Sequence, residues 1–320
     1  MSKDRLNQYQ PETVTPPGDT LLETIEALGI SQAELAQRME RPVKTINEII
    51  KGKAMITPDT ALQLERVLGI PASFWQNREQ NYREYLARRE EGKRLQEQVE
   101  WLSQIPVATL IKLGWVKSSK DKVEQLKAVL DFFGVASPEA WRNLWTSPQA
   151  VFRKSTAFQA DPGAVASWLR KGELVAQTIP CKPFEETKFK EALKTVRQIT
   201  RQKPEDFIPE VVRICADAGV AVVFVPELPR SRVSGATRWL NPSKALIQLS
   251  FRYNSDDQLW FTFFHEASHI LRHGKRRVFL EGDGMDEKLE QEADRFARDL
   301  LIPPRAYNGL LEQVKDCPFP

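Results

Sequence analysis

The three histidines of this 320-residue chain all fall in one short segment, at His265, His269 and His273. A capping pattern at 255–258 and a glycine at 274 bound this segment, which is therefore predicted to be one helix. Residues four apart on an α-helix lie about 6 Å apart along its axis and about 40° apart around it. The rings of His265 and His269 can thus converge on one metal ion.

The segment from His265 to His269 reads H-E-x-x-H, a pattern typical of zinc sites. Glu266 borders the face of the two histidines without occupying it, where a carboxylate reaches a water on the metal rather than the metal itself. His273 lies about 12 Å along the axis from His265, so it is predicted to pack, to cap the helix or to support a ligand. The alternative is a buried amphipathic helix whose histidines are only hydrogen-bonded polar residues.

A third protein ligand must come from another element, because His273 is too far along the axis. The next predicted helix, about 286–301, carries acidic residues, and Glu290 and Asp294 lie four apart on one of its faces. Glu290 can bind the metal while Asp294 accepts the free ring N–H of a ligand histidine. Spacing alone does not separate Glu290 from Glu287 or Glu292.

Length and composition limit the class of protein. A mass of 36.7 kDa exceeds one ordinary hydrophobic core, so two or three domains are expected. No apolar run is long enough to cross a bilayer, and the chain start lacks the apolar core of a signal peptide. Cys181, Cys215 and Cys317 are few and far apart, as in reduced intracellular proteins. We therefore expect a cytoplasmic protein with no membrane partner.

The predicted fold is mainly α with a small β-sheet. Short β-branched runs at 220–225, 234–240 and 245–249 are predicted strands, while most other segments have helical periodicity. Trp141, Trp145 and Trp168 are predicted core residues. The domains we expect are a flexible arm at 1–17, a helix-turn-helix domain at 18–80, a charged linker helix at 81–102, a helical middle region at 103–185 and a C-terminal α+β domain at 186–320.

The region 18–80 has the marks of a helix-turn-helix: short helices, a tight turn and a third helix rich in short polar residues. The formal net charge of the chain is only +3, so DNA binding has to rest on a local patch around that helix. The predicted DNA-binding residues are Gln32, Arg41, Val43, Lys44, Thr45, Asn47, Lys51 and Lys53. A plain helical protein-binding module is the alternative.

The two C-terminal helices resemble those of the ImmA/IrrE metallopeptidases. FTFFHEASHILRHG followed by EQEADRFARDLLIP is similar to that family's H-E-x-x-H helix, short loop and second helix with E-x-x-x-(N/D). The resemblance, over roughly 185–310, implies a zincin-like domain that binds zinc through His265, His269 and Glu290, with Glu266 as the general base. Asp294 stands where Asn is common, and Ala267-Ser268 replaces a bulky residue plus Gly.

The N-terminal region resembles the HigA branch of the Xre/Cro-type helix-turn-helix regulators. The resemblance runs from TLLETIEALG through ITPDTALQL to the closing FWQN. It implies a homodimer that binds a palindromic double-stranded DNA operator, often together with a partner toxin. Pro42 stands where a small polar residue is usual, which leaves the start of the third helix open.

Together these features predict a DNA-binding transcriptional regulator carrying a zinc-dependent endopeptidase. Its expected substrate is a repressor or antitoxin-like protein in a stress, phage or toxin–antitoxin setting, added as a strand along 245–249. Candidates for stabilising the oxyanion are Tyr253, Arg252, Arg238 and His273. The alternatives are a HigA-like antitoxin or repressor whose zinc domain senses a signal, and a zinc-stabilised scaffold.

Overall fold

The computed structural model describes residues 14–145, 160–252, 255–274, 279–280 and 287–314. Most of the expected flexible arm, the third cysteine, Cys317, and Tyr253 lie outside these residues. The chain divides into two compact units, residues 1–97 and residues 98–320.

The first unit consists of helices. They are α1 (Pro17–Ala27), α2 (Gln32–Arg38), α3 (Val43–Ile50), α4 (Pro58–Leu68) and α5 (Ala72–Gln96). The apolar faces of these helices meet in one core, which includes Leu21, Leu35, Ile46, Leu64 and Trp75. All five side chains are fully buried, so the unit has a hydrophobic core of its own.

Side-chain caps set the starts of two of these helices. The Ser31 hydroxyl accepts a hydrogen bond from the backbone N–H of Glu34 at 3.1 Å at the start of α2. Thr57 does the same for Thr60 at 3.3 Å at the start of α4. Helix α4 ends at Gly69, whose φ of 72° lies in the left-handed region that favours glycine. Local signals therefore mark the start of α2 and both ends of α4.

The long charged helix is shorter than its sequence pattern predicts. That pattern predicts one helix to about Trp101, whereas α5 ends at Gln96 and a 3-10 helix follows at Val99–Gln104. Trp101 is buried and packs edge-on against Phe133 and Trp141. Tertiary packing of this indole therefore overrides the helical periodicity at the end of the segment.

The second unit contains both helices and strands. After the 3-10 helix come α6 (Val107–Lys112), α7 (Lys122–Phe133), α8 (Pro138–Trp145), α9 (Pro162–Thr178), α10 (Glu186–Gln198), α11 (Pro204–Asp217), β1 (Val220–Phe224), β2 (Gly235–Asn241), β3 (Lys244–Leu249), α12 (Asp256–Arg272), β4 (Phe279–Leu280), α13 (Glu287–Leu301) and α14 (Pro304–Val314). The three predicted strands and the mainly helical class are confirmed.

The described strands form one small mixed sheet in the order β1-β3-β2-β4. β1 pairs with β3 in parallel, with Val222 opposite Ile247. β2 pairs with β3 antiparallel, with Thr237 also opposite Ile247, and the two-residue β4 pairs with β2. β3 therefore lies inside the sheet with a partner on each side.

Helices cover both faces of this sheet. On one face, the Trp168 indole of α9 donates to the backbone carbonyl of Val225 at 3.1 Å, and Gln248 of β3 donates to the carbonyl of Trp168 at 2.7 Å. On the other face, alternate residues such as Val222 and Ile247 join the core under α11 and α12. Both faces of the central strands are thus apolar or hydrogen-bonded, as expected for parallel pairing.

The predicted core tryptophans are buried. Trp141 and Trp145 belong to an aromatic cluster around Phe133, with ring centroids 5.7 Å and 5.9 Å from that ring. Trp168 is fully buried against the sheet. The prediction that these residues are core is confirmed.

The start of α12 differs in detail from the prediction. The sequence 255–258 predicts a capping box, but the Ser255 side chain makes no capping hydrogen bond to the helix. Hydrogen bonds with the Ser255 side chain and the Gln258 backbone lower the pKa of Asp257. The acidic residues of the first turn, rather than the serine, therefore face the positive end of the helix dipole.

Among the described residues, no helix is long and apolar enough to span a bilayer. Among the described cysteines, Cys181 and Cys215 are not in a disulfide.

Candidate functional site

Helix α12 places two histidine rings on one buried side. His265 and His269 lie one turn apart, and their side chains are 3% and 1% exposed. Their Nε2 atoms are 3.1 Å apart, so both rings point to the same place. Neighbouring apolar residues, including Phe263, Phe264 and Ile270, are buried with them. This burial fixes the rings in the arrangement that the spacing of four predicts.

Helix α13 contributes the carboxylate of Glu290. Its Oε2 lies 3.2 Å from His265 Nε2, and its Oε1 lies 3.7 Å from His269 Nε2. The three residues form a group whose ligand atoms all lie within 4.8 Å of one another. Two ligands at about 2.0–2.1 Å from a tetrahedral zinc ion lie about 3.3 Å apart. The donor set and its spacing therefore fit a zinc ion.

Asp294 orients the first histidine from the far side of its ring. Its Oδ1 lies 2.9 Å from His265 Nδ1. If Nδ1 carries the proton and donates it to this carboxylate, the lone pair of Nε2 faces His269 and Glu290. The structure thus places Asp294 where the sequence predicts the support of a ligand histidine.

His273 supports the second histidine. It follows the last residue of α12, and its side chain is 2% exposed. Its Nδ1 lies 2.7 Å from His269 Nδ1, and its Nε2 lies 3.5 Å from Glu292, which also pairs with Arg272 at 2.5 Å. His273 therefore contacts the ring of His269 and not the convergence point of the cluster. Glu292 contacts Arg272 and His273 instead of that point. The side chain of Glu287 is outside the described residues.

Glu266 lies inside the protein between α12 and the sheet, fully buried. Its backbone carbonyl accepts a hydrogen bond from the Thr237 hydroxyl at 3.0 Å. At Gly235 the backbone of β2 comes so close that an added Cβ would lie 2.8 Å from Glu266 Oε1 and 2.5 Å from Thr262 Cγ2. The sheet therefore anchors the Glu266 backbone and limits the space around its carboxylate.

The two histidines have opposite pKa shifts. Burial disfavours the charged form of His265, but the hydrogen bond with Glu290 and the charges of Glu266, Glu290 and Asp294 outweigh it and raise its pKa to about 9. Burial, together with the positive charge of His265 and His273, lowers the pKa of His269 to about 2. The neighbouring carboxylates therefore favour the protonated form of His265, whereas burial favours the neutral form of His269.

The predicted substrate strand is wrong. Residues 245–249 form the inner strand β3, whose two edges are already paired with β1 and β2. A peptide can add only to a strand with unpaired backbone groups.

The oxyanion candidates that the structure describes are held by other groups. Arg238 pairs with Glu173 of α9 at 2.7 Å, on the sheet face opposite α12, so it does not reach Glu266. Arg252 pairs with Glu227 at 3.7 Å, and His273 contacts His269.

The predicted DNA-binding residues lie around α3 of the first unit. Lys44 has a side chain 84% exposed, with Glu48 as a distant ion partner at 3.9 Å. Val43, Lys51 and Lys53 are also exposed, while Gln32, Thr45 and Asn47 are partly buried. Arg41 differs, because its guanidinium pairs with Asp59 and donates to Gln63 at 2.5 Å. The basic surface therefore consists mainly of lysines at both ends of α3.

Sequence reasoning missed the contribution of β2 to the site. Gly235 and Thr237 contact Glu266 from a strand that no metal-site motif includes. A glycine at the start of a predicted strand is the only sequence signal, since glycine often marks a close approach of two backbones.

Comparison with known proteins concerns the first unit. The helix-turn-helix family matches this chain over residues 21–75. That segment is a helix-turn-helix. It begins within α1, ends near the start of α5, and includes α2, α3 and the turn between them.

One similar curated protein is the uncharacterized HTH-type transcriptional regulator YddM of Escherichia coli (strain K12). It is 36% identical over 61 residues, which are 19% of this chain and 65% of the relative. The chain thus spans less than two thirds of the length of this relative.

Similar solved structures include the HigA family antidote protein of Coxiella burnetii, 30% identical, with 26% of this chain and 92% of that chain covered and a TM-score of 0.25. The antitoxin HigA of Pseudomonas aeruginosa, solved with the higBA promoter, is 29% identical, with 27% and 94% covered and a TM-score of 0.25. PA4674 of Pseudomonas aeruginosa, solved with its operator DNA, is 28% identical, with 28% and 98% covered and a TM-score of 0.25.

Proposed function

We propose that this chain is a DNA-binding transcriptional regulator whose second unit is a zinc-dependent endopeptidase that cuts a repressor or antitoxin-like protein. One observation carries the catalytic part of the proposal. Two histidine Nε2 atoms and the two carboxylate oxygens of Glu290 converge at 3.1–3.7 Å, with Glu266 buried beside them. This arrangement has the donor set of a zinc site and a separate carboxylate for proton transfer.

In this proposal His265, His269 and Glu290 hold the metal, and Asp294 keeps the His265 ring in orientation. When bound there, zinc would supply Lewis-acid chemistry: it would polarise a peptide carbonyl and lower the pKa of a water molecule. The Glu266 carboxylate takes a proton from the attacking water and returns it to the nitrogen of the leaving amine. Thr237 anchors the backbone carbonyl of Glu266, and the close backbone at Gly235 limits the space around its carboxylate.

The surroundings of α12 suit this chemistry because they are apolar and shield the site from bulk water. Phe263, Phe264 and Ala267 are fully buried on the same helix. A low-dielectric environment strengthens each interaction of the buried carboxylate and the histidines with a reacting group. The site is therefore built on rigid, packed elements rather than on a surface loop.

The DNA-binding part of the proposal rests on the first unit. Residues 21–75 match the helix-turn-helix family, and the Escherichia coli relative is an HTH-type transcriptional regulator. The exposed Val43 and Lys44 at the start of α3 are positioned as the first residues of a recognition helix. Since the patch is small, we propose that a homodimer presents it twice to a palindromic operator.

A second function is favoured by the way the cluster joins two helices. Glu290 and Asp294 of α13 both contact His265 of α12, so a metal ion here also fastens α13 onto α12. In that alternative the chain is an antitoxin-like repressor, and its zinc site senses a signal or stabilises the fold without proteolysis.

The substitution Glu266→Gln separates these two functions. We expect the variant to keep about one zinc per chain and its DNA binding, because the ligands and α3 are untouched. Cleavage of a degenerate library of unstructured peptides, followed by mass spectrometry, should fall by at least about 100-fold, because an amide cannot accept the proton. Glu205→Gln, an exposed change on α11, is the matched control and should cleave like the unmodified chain.

Two results would contradict the proposed peptidase activity. One is a zinc-loaded chain that cuts no peptide of the library, and the other is equal cleavage by the Glu266→Gln variant. Either leaves the sensor or scaffold function in place. A zinc content below about half an ion per purified chain, with no further decrease in His265→Ala, would contradict the proposed metal site.

A further inference from the structure

We propose that the second unit contains a separate binding site for a small anionic molecule that carries a phosphate or carboxylate group. The site is a cavity of about 690 Å³ that is distinct from the histidine cluster. It lies between the 3-10 helix, α8, the start of α9 and the loop between β1 and β2. Its lining residues are Gln104, Trp141, Ala160, Asp161, Pro162, Gly163, Arg230 and Arg232.

Two arginines give the cavity its charge. Arg230 and Arg232 are exposed, and within the described parts of the chain neither guanidinium has an ion-pair partner. Their backbones take left-handed φ values of 66° and 52°. The loop is held in that shape because the carbonyl of Arg230 accepts from Asp161 N–H at 3.0 Å and that of Arg232 accepts from Arg252. Both charged ends are therefore available to a ligand.

A tryptophan forms part of the cavity wall. Trp141 is 2% exposed and packs edge-on against Trp101 and Phe133. The aromatic cluster therefore holds this indole in place and gives the cavity a rigid apolar side next to the two arginines.

The acidic group of the cavity wall is already engaged. The Asp161 carboxylate accepts from the backbone N–H groups of Gly163 at 2.9 Å and Ala164 at 3.3 Å, which caps α9. The cavity thus has two cationic side chains and one carboxylate that already caps a helix, so its net charge favours an anionic ligand. The volume falls in the range of small-molecule sites, which indicates an anion with a body of several atoms rather than an inorganic ion.

The site is connected to the histidine cluster through the chain itself. Arg232 lies three residues before Gly235, where β2 contacts Glu266. A ligand that holds the arginine loop therefore restrains the start of β2. Any effect on cleavage rests on the proposed function, whereas binding of the anion does not.

Thermal unfolding of the full chain tests the proposal with three anionic probes, AMP, glucose 6-phosphate and glutarate, and with glucose as the neutral control. At about 5 mM, at least one anion should raise the melting temperature by about 3 °C or more, while glucose should not. The phosphate and carboxylate probes distinguish the two head groups. Hydrogen exchange of residues 228–240 should slow in the presence of the same anion.

The double substitution Arg230→Gln and Arg232→Gln should weaken this binding by at least about 10-fold, because both charges are lost while the exposed loop keeps its packing. Arg201→Gln, another exposed arginine of the same unit, is the matched control and should leave it unchanged. Absence of a shift with all three anions, or an equal shift in the double variant, would overturn the proposal. Neither readout depends on zinc or on cleavage.

Discussion

At the scale of single residues, Gly235 sets the distance between the sheet and helix α12. The backbone there lies against Thr262 and Glu266, where even one methyl group has no room. The position of the Glu266 carboxylate thus depends on the absence of a side chain on another element. Such a contact joins residues far apart in sequence, so no local pattern predicts it.

The substitution Gly235→Ala should therefore damage both stability and the site. Forcing a Cβ to 2.8 Å from Glu266 Oε1 pushes α12 from β2, and overpacking of this kind costs about 1–3 kcal/mol. Denaturant unfolding measures the loss of free energy of unfolding. Gly309→Ala is the control, because nothing lies within 4 Å of its Cβ position in α14; it should be neutral or stabilising by about 0.5–1 kcal/mol. Equal effects of the two changes would refute the close contact.

The roles of single site residues could be predicted from the sequence only where those residues belong to the same element. His265, Glu266 and His269 belong to one helix, so the spacing along the sequence fixes their relative positions. Glu290 could not be separated from Glu292 in this way, because the choice depends on how α13 is rotated against α12. The structure shows that Glu292 faces Arg272 while Glu290 faces the histidines.

At the scale of elements, the contacts between α12 and α13 assemble the candidate metal site. Helix ends in this chain follow local signals such as Ser31 and Thr57, so most helices were predictable. The failures have tertiary causes: the buried Trp101 ends the long charged helix early, and pairing on both edges places 245–249 inside the sheet. Packing between elements therefore decides what the sequence pattern leaves open.

Asp294 gives a test of the contact between these two helices. Asp294→Ala should lower zinc affinity by about 10–100-fold, because the His265 ring loses the acceptor that orients it. Asp294→Asn should retain most of the affinity, since its amide oxygen can still accept from Nδ1. Competition with a chelator of known affinity measures both. Asp299→Ala on the same helix should bind zinc normally; a similar loss in all three variants would rule out a specific role for Asp294.

At the scale of the whole molecule, the chain combines two units that each have a core. The first core contains Leu21, Leu35 and Trp75, and the second surrounds the sheet and α12. The proposed DNA contacts all lie in residues 1–97, and the candidate metal cluster lies in residues 98–320. Each unit holds every residue that its own proposed activity needs, so the two activities can be measured separately.

The proposed DNA-binding surface lies within the first unit, and Lys44 provides its most direct test. Its side chain is 84% exposed at the start of α3, as expected for a phosphate contact beside a recognition helix. Lys44→Ala should weaken binding to the DNA upstream of the chain's own gene and should reduce the salt dependence by about one phosphate contact per bound chain. Gel shifts at several salt concentrations measure both quantities.

Lys93→Ala, near the end of α5, is the matched control for this experiment, because it removes the same charge from the same unit but far along the chain from α3. A fragment of residues 1–97 should show the same salt dependence as the full chain, since all the proposed contacts lie within it. If Lys44→Ala and Lys93→Ala reduce the salt dependence equally, the charge of the unit as a whole, and not the face of α3, attracts the DNA. If the unmodified chain shows no salt-dependent binding, the helix-turn-helix unit instead serves as a protein-binding module.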